Sequence, residues 1–238
     1  MNTEHIVKSF DEDLKKLDNT IAEMGGLAEV QLADAIEALI KRDTELADRV
    51  IAGDKKIDML EADMDTHATT TLALRQPMAD DLRVTITALR TASLIERIGD
   101  YAKNIAKRSV VLSQSPPLGP AKSINRMATL VQGMIKDVLD AYVARDVNKA
   151  EAVRARDADA DLLHTSLFRE ILTYMMEDPR TITSCTHLLF VAKNLERIGD
   201  HATNIAENVY YLVNGALPTD EREKSDASSF TVVDPDGD

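Results

Sequence analysis

The chain has 238 residues, of which 44% are hydrophobic and only 4% aromatic, and it contains no Trp. This composition provides enough apolar residues for a core, and the scarcity of aromatic residues favours helices over a β-sandwich or barrel. The formal net charge of −13 excludes nucleic acid as a favourable partner, so cations and basic surfaces of other proteins are the expected counterparts.

The chain also lacks the sequence signals of secretion and membrane insertion. A single cysteine, Cys185, cannot form an internal disulfide, which fits a reducing compartment. The first residues show neither the basic start nor the apolar run of a secretory signal. No stretch approaches the roughly 18–20 apolar residues that span a bilayer. We therefore expect a cytoplasmic protein with no direct membrane insertion.

Three long amphipathic segments make up the first half of the chain. Gly25-Gly26 is a possible kink in the first segment. Asp43 is a plausible N-cap for the second helix, and Gln76-Pro77 is predicted to open the third, since proline is favoured at the first helical position. The predicted helices cover about residues 4–42, 44–75 and 77–112.

The second half repeats this plan after a proline-rich linker, SPPLGP. Asp146 is predicted to cap its second helix and Asp178-Pro179 to open its third. These helices cover about residues 121–145, 146–176 and 178–213. Helices of this length can bury their apolar stripes only side by side, so each half should be an antiparallel three-helix bundle.

The predicted fold class is therefore all-α, a tandem repeat of two antiparallel three-helix bundles with six long helices. After Asn214 the sequence turns to Pro, Asp, Glu and Ser, which cannot build a core, and we expect a disordered acidic tail. The predicted organisation is a first repeat at 1–114, a linker at 115–120, a second repeat at 121–214 and the tail at 215–238.

The strongest support for two equivalent halves is a repeated motif. LIERIGDYAKNIAKR (94–108) and LERIGDHATNIAEN (195–208) match at an offset of 100 residues, which indicates two copies of one structural unit. The second helices of the two halves align at an offset of 103. Acidic positions repeat along with apolar ones, which is more than a shared core requires.

The repeated acids form pairs four residues apart, so the members of a pair lie on the same helix face and repel by roughly 0.2–0.5 kcal/mol. On a helical wheel the acids of the motif lie on the side opposite its apolar residues, and we expect them to face away from the core. The pairs are Asp54/Asp58 and Glu96/Asp100 in the first half, and Asp157/Asp161 and Glu196/Asp200 in the second.

If the stripes of neighbouring helices converge, each half presents four carboxylates at one place. Such all-oxygen sites suit divalent or trivalent ions such as Mg²⁺, Mn²⁺, Ca²⁺, iron and, with less preference, Zn²⁺. Four carboxylates exceed the charge of one divalent ion, so a multinuclear site is conceivable. We predict metal binding at all eight acids.

Several alternatives remain open. Acidic stripes on helices are often ordinary solvated surface, and Arg97 and Arg197 could pair with the acids one turn on. His164 could join the second site or be a structural imidazole. Gly99 and Gly199, each in mid-helix, fit a close helix contact or a bound ion.

No phosphate-binding loop, nucleophile elbow or zinc-protease motif is present, and no general base stands out. We therefore expect a protein without enzymatic activity. A metal store or a metal-dependent phosphohydrolase is the alternative, since a metal cluster can activate water. A purely structural helical scaffold is a further possibility.

The duplicated motif closely resembles the signature of the PhoU family of phosphate-specific transport system accessory proteins. The resemblance also covers FDEDL near the start, MGGLAE (24–29), the RQP turn (75–77) and YMMEDPR (174–180), and extends essentially from Phe10 to Val213. It implies a cytoplasmic, non-enzymatic homodimer that binds metal clusters through its E/D-x-x-x-D pairs, which are the eight acids named above.

The resemblance also implies a function. Family members restrain the phosphate-starvation response and limit phosphate uptake when phosphate is plentiful. Their implied partners are the ATPase subunit of the phosphate ABC transporter and the sensor histidine kinase of the phosphate two-component system.

Overall fold

The computed structural model describes residues 3–219 and Asp226, with side chains from residue 11 onward. This part of the chain contains only helices and connecting turns, which confirms the predicted all-α fold. The helices are α1 (Thr3–Lys41), α2 (Thr44–Gly53), α3 (Lys55–Arg75), α4 (Asp80–Leu112), α5 (Ala121–Ala144), α6 (Val147–Ala155), α7 (Asp157–Glu177), a 3₁₀ turn (Pro179–Thr181) and α8 (Ile182–Asn214).

Two of the six predicted helices are interrupted, and both interruptions fall beside predicted metal ligands. The second helix divides into α2 and α3 at Asp54, whose carbonyl accepts hydrogen bonds from the backbone N–H groups of Ile57 and Asp58 at 2.9 and 3.3 Å. Its counterpart divides into α6 and α7 at Arg156. The tight turn at Asp54 directs this side chain towards the neighbouring helices, where it is buried.

The predicted helix starts are right in three of four places. Asp43 and Asp146 accept hydrogen bonds from the backbone N–H groups of Leu46 and Lys149 at 2.9 and 3.0 Å, as N-caps do. Asp178-Pro179 does begin helical structure, but as a single 3₁₀ turn that leads into α8.

The prediction that Gln76-Pro77 opens the third helix is wrong, because α4 begins at Asp80. Gln76 and Ala79 both have positive φ, 48° and 50°, so the chain reverses direction there before the helix can start. A residue that precedes proline is also disfavoured in the helical region.

The hydrophobic core runs without interruption through both repeats. Its centre is the pair of long helices α4 and α8, which pack against each other, while α1 covers α4 and α5 to α7 cover α8. Thr91 and Asn208 hydrogen-bond across the α4–α8 contact at 3.4 Å, and the rings of Tyr101 and His201 stack with centroids 5.6 Å apart. The two duplicated motifs therefore lie side by side.

Ion pairs and hydrogen bonds fix the other junctions. The guanidinium of Arg145 binds both carboxylate oxygens of Asp18 at 2.8 and 2.7 Å, which ties the α5–α6 turn to α1. Arg42, at the equivalent turn of the first repeat, donates to the carbonyls of Ser113 and Ser115 and so anchors the start of the linker. Within the described residues, no helix is long and apolar enough to cross a membrane.

Candidate functional site: two carboxylate sites

The first carboxylate site consists of the acids where α3 meets α4. The four predicted ligands of this half lie within electrostatic reach of one another, and Glu61 joins them. Burial, together with the charges of Asp54 and Asp100, raises the pKa of Asp58. The first carboxylate site comprises Asp54, Asp58, Glu61, Glu96 and Asp100.

Asp54 forms the buried floor of the first site, with only 3% of its surface exposed. Its Oδ1 accepts a hydrogen bond from Gln31 Nε2 at 2.9 Å, and its Oδ2 pairs with the ammonium of Lys103. The same ammonium lies 2.6 Å from Asp100 Oδ1. Burial works against this ammonium, but its hydrogen bonds to Asp100 and Asp54 prevail and raise the pKa of Lys103.

Glu96 faces an open groove of about 420 Å³ beside this floor. Burial, the charge of Asp100 and the charge of Glu61 raise the pKa of Glu96 to about 7. Glu96 is therefore shared between protonated and ionised forms near neutral pH, and a cation in the groove would favour the ionised form. The groove is lined by Glu61, Ser93, Glu96, Arg97, Asp100, Tyr101 and Asn104.

The second carboxylate site lies where α7 meets α8 and is the more deeply buried of the two. Asp157, Asp161, His164 and Glu196 are exposed by 2%, 4%, 3% and 8%. Thr203, at the position that Lys103 occupies in the first repeat, donates a hydrogen bond to Asp157 Oδ1 at 3.2 Å. The second carboxylate site comprises Asp157, Asp161, His164, Glu196 and Asp200.

The positive charge of the second site comes from Lys193, whose Nζ lies 2.8 Å from Glu196 Oε1. The same ammonium lies 3.6 Å from Asp226 Oδ2, and Asp226 Oδ1 lies 3.4 Å from His164 Nδ1. Asp226 belongs to the acidic tail, whose residues 220–225 and 227–238 lie outside the described part of the chain, so the predicted disorder of the tail is not tested there. Burial raises the pKa of Glu196, while Lys193 and His164 oppose that rise.

The expectation that the acids of the duplicated motif face away from the core is wrong for Glu196 and only partly right for its counterpart. Glu196 is 8% exposed, and Glu96 is half-buried. A single-helix wheel cannot show that α7 covers this face of α8. The wheel separates polar from apolar residues but does not say which polar face a neighbouring helix covers.

Sequence reasoning missed the basic residues of the two sites. Lys103 lies three residues after Asp100, and Lys193 three residues before Glu196, so both were within the spacing at which side chains on a helix meet. A comparison of the two motif copies identifies Lys103, because the second copy has Thr203 at that position.

The two mid-helix glycines differ in what surrounds them. A Cβ on Gly99 would lie 3.0 Å from Ile57 Cδ1 and 3.4 Å from Asp54 Oδ1, so the first site needs this close approach of α3 to α4. A Cβ on Gly199 would meet its nearest neighbour, Ala160 Cβ, at 3.7 Å, an ordinary contact. Close helix packing therefore explains Gly99 but not Gly199.

The carboxylates and the imidazole of the two sites are groups that can bind a cation. Glu196 Oε2 is buried and accepts no hydrogen bond within the described part of the chain, which is costly for a carboxylate oxygen unless a cation or water binds it. In the present arrangement, however, no three His, Cys, Asp or Glu side chains among the described residues are placed to hold one metal ion. Lysine ammonium groups lie between the carboxylates instead.

The fold and its two sites define a class: an all-helical tandem-repeat protein with a carboxylate-rich site in each repeat. The family model described as "PhoU domain" matches this chain twice, at residues 21–109 and 124–209. The chain therefore belongs to the PhoU family, which confirms the resemblance seen in the motifs.

Similar proteins agree with this assignment over nearly the whole length. A "Phosphate-specific transport system accessory protein PhoU homolog" from Caulobacter vibrioides is 51% identical over 228 residues, covering 95% of this chain and 99% of that protein. A protein of the same description from Rhizobium meliloti is 50% identical over 230 residues, covering 96% of this chain and 97% of that protein.

A solved structure shares the architecture as well. The crystal structure of PhoU from Pseudomonas aeruginosa matches with a TM-score of 0.84 at 39% identity, covering 87% of this chain and 100% of that chain.

Proposed function

We propose that this chain is a cytoplasmic regulator of phosphate homeostasis that connects the phosphate ABC transporter to a sensor histidine kinase. In this role it represses the phosphate-starvation response and limits phosphate uptake when phosphate is plentiful. The observation that carries the proposal is the 51% identity, over 95% of the chain, to a protein described as a phosphate-specific transport system accessory protein homolog. The partners themselves, the transporter ATPase subunit and the kinase, rest on the family resemblance.

The proposed mechanism is partner choice through the two carboxylate sites. At each site, a metal ion held by the four predicted acids of that repeat would supply positive charge that these side chains cannot supply themselves. Its binding would change the local charge by two or more units and turn a repulsive acidic surface into one that accepts a partner. The buried, unpaired Glu196 Oε2 and the shared protonation of Glu96 near neutral pH support a role in cation binding.

The regulatory role is tested by deleting the gene and following a phosphate-starvation reporter in high phosphate. We expect the reporter to switch on, and the intact gene to switch it off again. A reporter that stays off in the deletion strain contradicts the proposed function, whatever the metal content of the protein.

The metal role is tested separately by elemental analysis of protein purified without chelator. The variant Glu96→Gln, Asp100→Asn, Glu196→Gln, Asp200→Asn should lose metal that the parent retains. The control variant Asp48→Asn, Asp63→Asn removes two exposed acids outside the sites and should keep it. Metal that persists in the fourfold variant contradicts binding at these sites.

We also propose that the chain acts as a homodimer, as the family resemblance implies. Light scattering behind a sizing column measures this directly, and a mass of a single chain at all concentrations contradicts it.

A metal-dependent phosphohydrolase is a second candidate, favoured by one observation. Glu96 lines an open groove of about 420 Å³, where a water activated by a bound metal would be accessible to a substrate. The metal-loaded protein would then hydrolyse phosphate esters, and Glu96→Gln would stop the hydrolysis while leaving metal bound through the other acids. Absence of turnover by the metal-loaded parent rejects this candidate.

A further inference from the structure

A positively charged stripe follows the line where α4 packs against α8. On α4 it consists of Arg90, Arg97 and Arg108, which are seven and eleven residues apart and therefore point within about 20° of one another. On α8, Arg197 lies seven residues after Phe190 and extends a stripe of the same direction. We call this surface the α4–α8 seam.

Two cation–π contacts show that the stripes of the two helices face each other across the seam. The guanidinium of Arg90 lies 5.8 Å from the centroid of the Tyr211 ring, and that of Arg108 lies 4.1 Å from the centroid of the Phe190 ring. The stacked aromatic pair at the centre of the α4–α8 contact lies between them. The arginines of both helices are therefore presented along one line, which is about 27 Å long from Arg90 to Arg108 at 1.5 Å per residue.

Carboxylates flank the seam but do not lie on it. On α4 after Asp81 and on all of α8, every Asp and Glu lies about 80–120° round the helix from the stripe. These acids are Glu96, Asp100, Glu196, Asp200 and Glu207. The groove of the first carboxylate site shows the boundary, because Arg97 and Tyr101 line it together with Glu96 and Asp100. The seam is thus a positive strip with a negative margin on each side.

The arginines of the seam are available to a partner. Arg90, Arg97 and Arg197 are exposed. Within the described residues the salt bridges of arginine all involve other positions, so none of these three guanidinium groups is bound by a carboxylate. Burial lowers the pKa of His201, and the charges of Arg97 and Arg197 lower it further against that of Asp200, so both guanidinium groups lie near this ring. Unpaired positive charge of this kind attracts acidic groups.

An exposed aromatic side chain adds an anchor at one end of the seam. Phe190 is 50% exposed, and Arg108 is held against its ring while Nη1 of this arginine lies 3.2 Å from His187 Nδ1. Arginine and aromatic residues are enriched at the energetic centres of protein interfaces, and side chains that are already fixed lose less entropy on binding. The seam therefore combines charge with a preorganised apolar contact.

The charge pattern selects among the possible occupants. A nucleic acid duplex or an anionic bilayer is wider than the strip and would meet the flanking carboxylates, which repel it. A second copy of this chain, placed on the seam by a twofold axis, would bring arginine against arginine. The chain's own tail is directed elsewhere, since Asp226 contacts Lys193 and Thr165 beside the second carboxylate site. A narrow acidic segment of another protein fits between the margins.

We propose that the α4–α8 seam is the docking surface for an acidic segment of a partner protein, bound through Arg90, Arg97 and Arg197. The segment is elongated and lies along the seam, because the positive strip is long and bounded on both sides. This inference deepens the proposed function, on which it rests for the identity of the partner. It assigns a partner contact to a surface that contains none of the eight predicted acids.

The first test measures the binding of an acidic peptide to the full chain by fluorescence anisotropy at low salt. The probe is a fluorescein-labelled peptide in which glutamate alternates with alanine, about 18 residues long so that it spans the seam as a helix. We expect the parent to bind it and not to bind the same peptide with glutamine in place of glutamate. The seam variant Arg90→Gln, Arg97→Gln, Arg197→Gln should bind about tenfold more weakly, as expected for the loss of three exposed ion pairs.

A matched control variant replaces three exposed arginines elsewhere and has the same net charge as the seam variant. It is Arg49→Gln, Arg126→Gln, Arg169→Gln, and it should bind the peptide like the parent. Circular dichroism establishes that both variants keep their helical content. A parent that does not bind the peptide overturns the inference, as does equal weakening in the two variants. Tighter binding to phosphatidylglycerol vesicles than to the peptide, lost in the seam variant, overturns the choice of a protein segment.

The second test asks whether the seam serves regulation. In the strain that lacks the gene, the control variant should switch the starvation reporter off in high phosphate, and the seam variant should leave it on. A seam variant that represses like the parent overturns the inference. A reporter that stays off in the deletion strain contradicts the proposed function alone, and the peptide titration then decides whether the seam binds acidic segments.

Discussion

The two carboxylate sites occupy equivalent places in two copies of one unit, yet each obtains its positive charge from a different helix position. In the first site Lys103 joins Asp54 and Asp100, and the second site has Thr203 at that position. In the second site Lys193 binds Glu196 instead, whereas the first has Ser93 at the corresponding place. The two sites thus share four equivalent acids but not the lysines that neutralise them.

This difference shows that the lysine positions change between the two repeats although the paired acidic positions do not. A lysine held by two carboxylates competes with any metal for the same oxygens, so its position controls how readily a site accepts an ion. The floor differs too, because Gln31 lies beneath the first site and Met134, its counterpart at an offset of 103, beneath the second. Exchanging residues between equivalent positions is therefore the most direct way to test the comparison.

The largest effect should come from removing the counter-charge of the first site. Lys103→Met in metal-free protein should lower the free energy of unfolding by about 3 kcal/mol, because it leaves Asp54 buried without its cation. Thr203→Val removes only one hydrogen bond and should cost about 1 kcal/mol. Urea unfolding in the presence of a chelator measures both, and equal costs contradict the difference between the sites.

The next effect is on metal affinity. Lys103→Thr gives the first site the residue of the second and removes the competing ammonium, so Mn²⁺ should bind there about tenfold more tightly, equivalent to roughly 1.4 kcal/mol. The reverse change, Thr203→Lys, should weaken binding at the second site, because it places an ammonium beside Asp157. Calorimetric titration with Mn²⁺ provides the measurement. Tighter binding in Thr203→Lys would contradict the competition.

A smaller effect separates the two mid-helix glycines. Gly199→Ala should stabilise the chain by about 1 kcal/mol, since alanine is the better helix former and its Cβ finds ordinary contacts. Gly99→Ala meets Ile57 Cδ1 at 3.0 Å, and crowding should outweigh that gain and leave a loss of about 1 kcal/mol. Thermal midpoints should then differ by about 4 °C or more between the two variants. Equal midpoints would show that α3 can move away from α4 at no cost.

The smallest effect is on the pH dependence of stability. The folded chain raises the pKa of Glu96 from 4.5 to about 7, so this carboxyl binds its proton more tightly when folded. Its contribution is present below its unfolded pKa and is lost as the pH rises through about 7. In metal-free protein we therefore expect the thermal midpoint to fall by about 2–4 °C between about pH 5 and pH 8, after allowance for the partial exposure of this side chain.

Glu96→Gln should remove this fall, whereas Glu196→Gln should change the pH dependence less, because Lys193 opposes the rise in the pKa of Glu196. The measurement is a series of thermal unfolding curves of the two variants and the parent. A fall that persists unchanged in Glu96→Gln assigns it to another group and contradicts the pKa of about 7.

Much of the fold could be predicted from the sequence, because its signals are local. Asp43 and Asp146 cap helices in the way their side chains predict, and the apolar period indicates six helical segments. The interruption at Asp54 could not be predicted, because the segment keeps its helical period across it. The late start of α4 at Asp80 was missed because Pro77 has a strong preference for helix starts but a turn with positive φ at Ala79 overrides it.

The candidate sites could be predicted in part for the same reason. The spacing of Glu96 and Asp100 is a property of one helix, and its recurrence in the second repeat strengthened the prediction of a site. The burial of Glu196 and the contact between His164 and Asp226 depend on which helix or tail segment covers which face. These contacts depend on the tertiary structure, so the period and spacing of residues in one sequence do not predict them.

The continuous packing of α4 against α8 has a consequence for how the molecule unfolds. Each repeat buries part of its core only against the other, so the free energy of unfolding is shared and a single calorimetric transition is expected. A ligand that binds either site of the folded chain then raises the melting temperature of the whole. Ligand binding in one repeat therefore also stabilises the other repeat against unfolding, and this coupling requires no conformational change at either site.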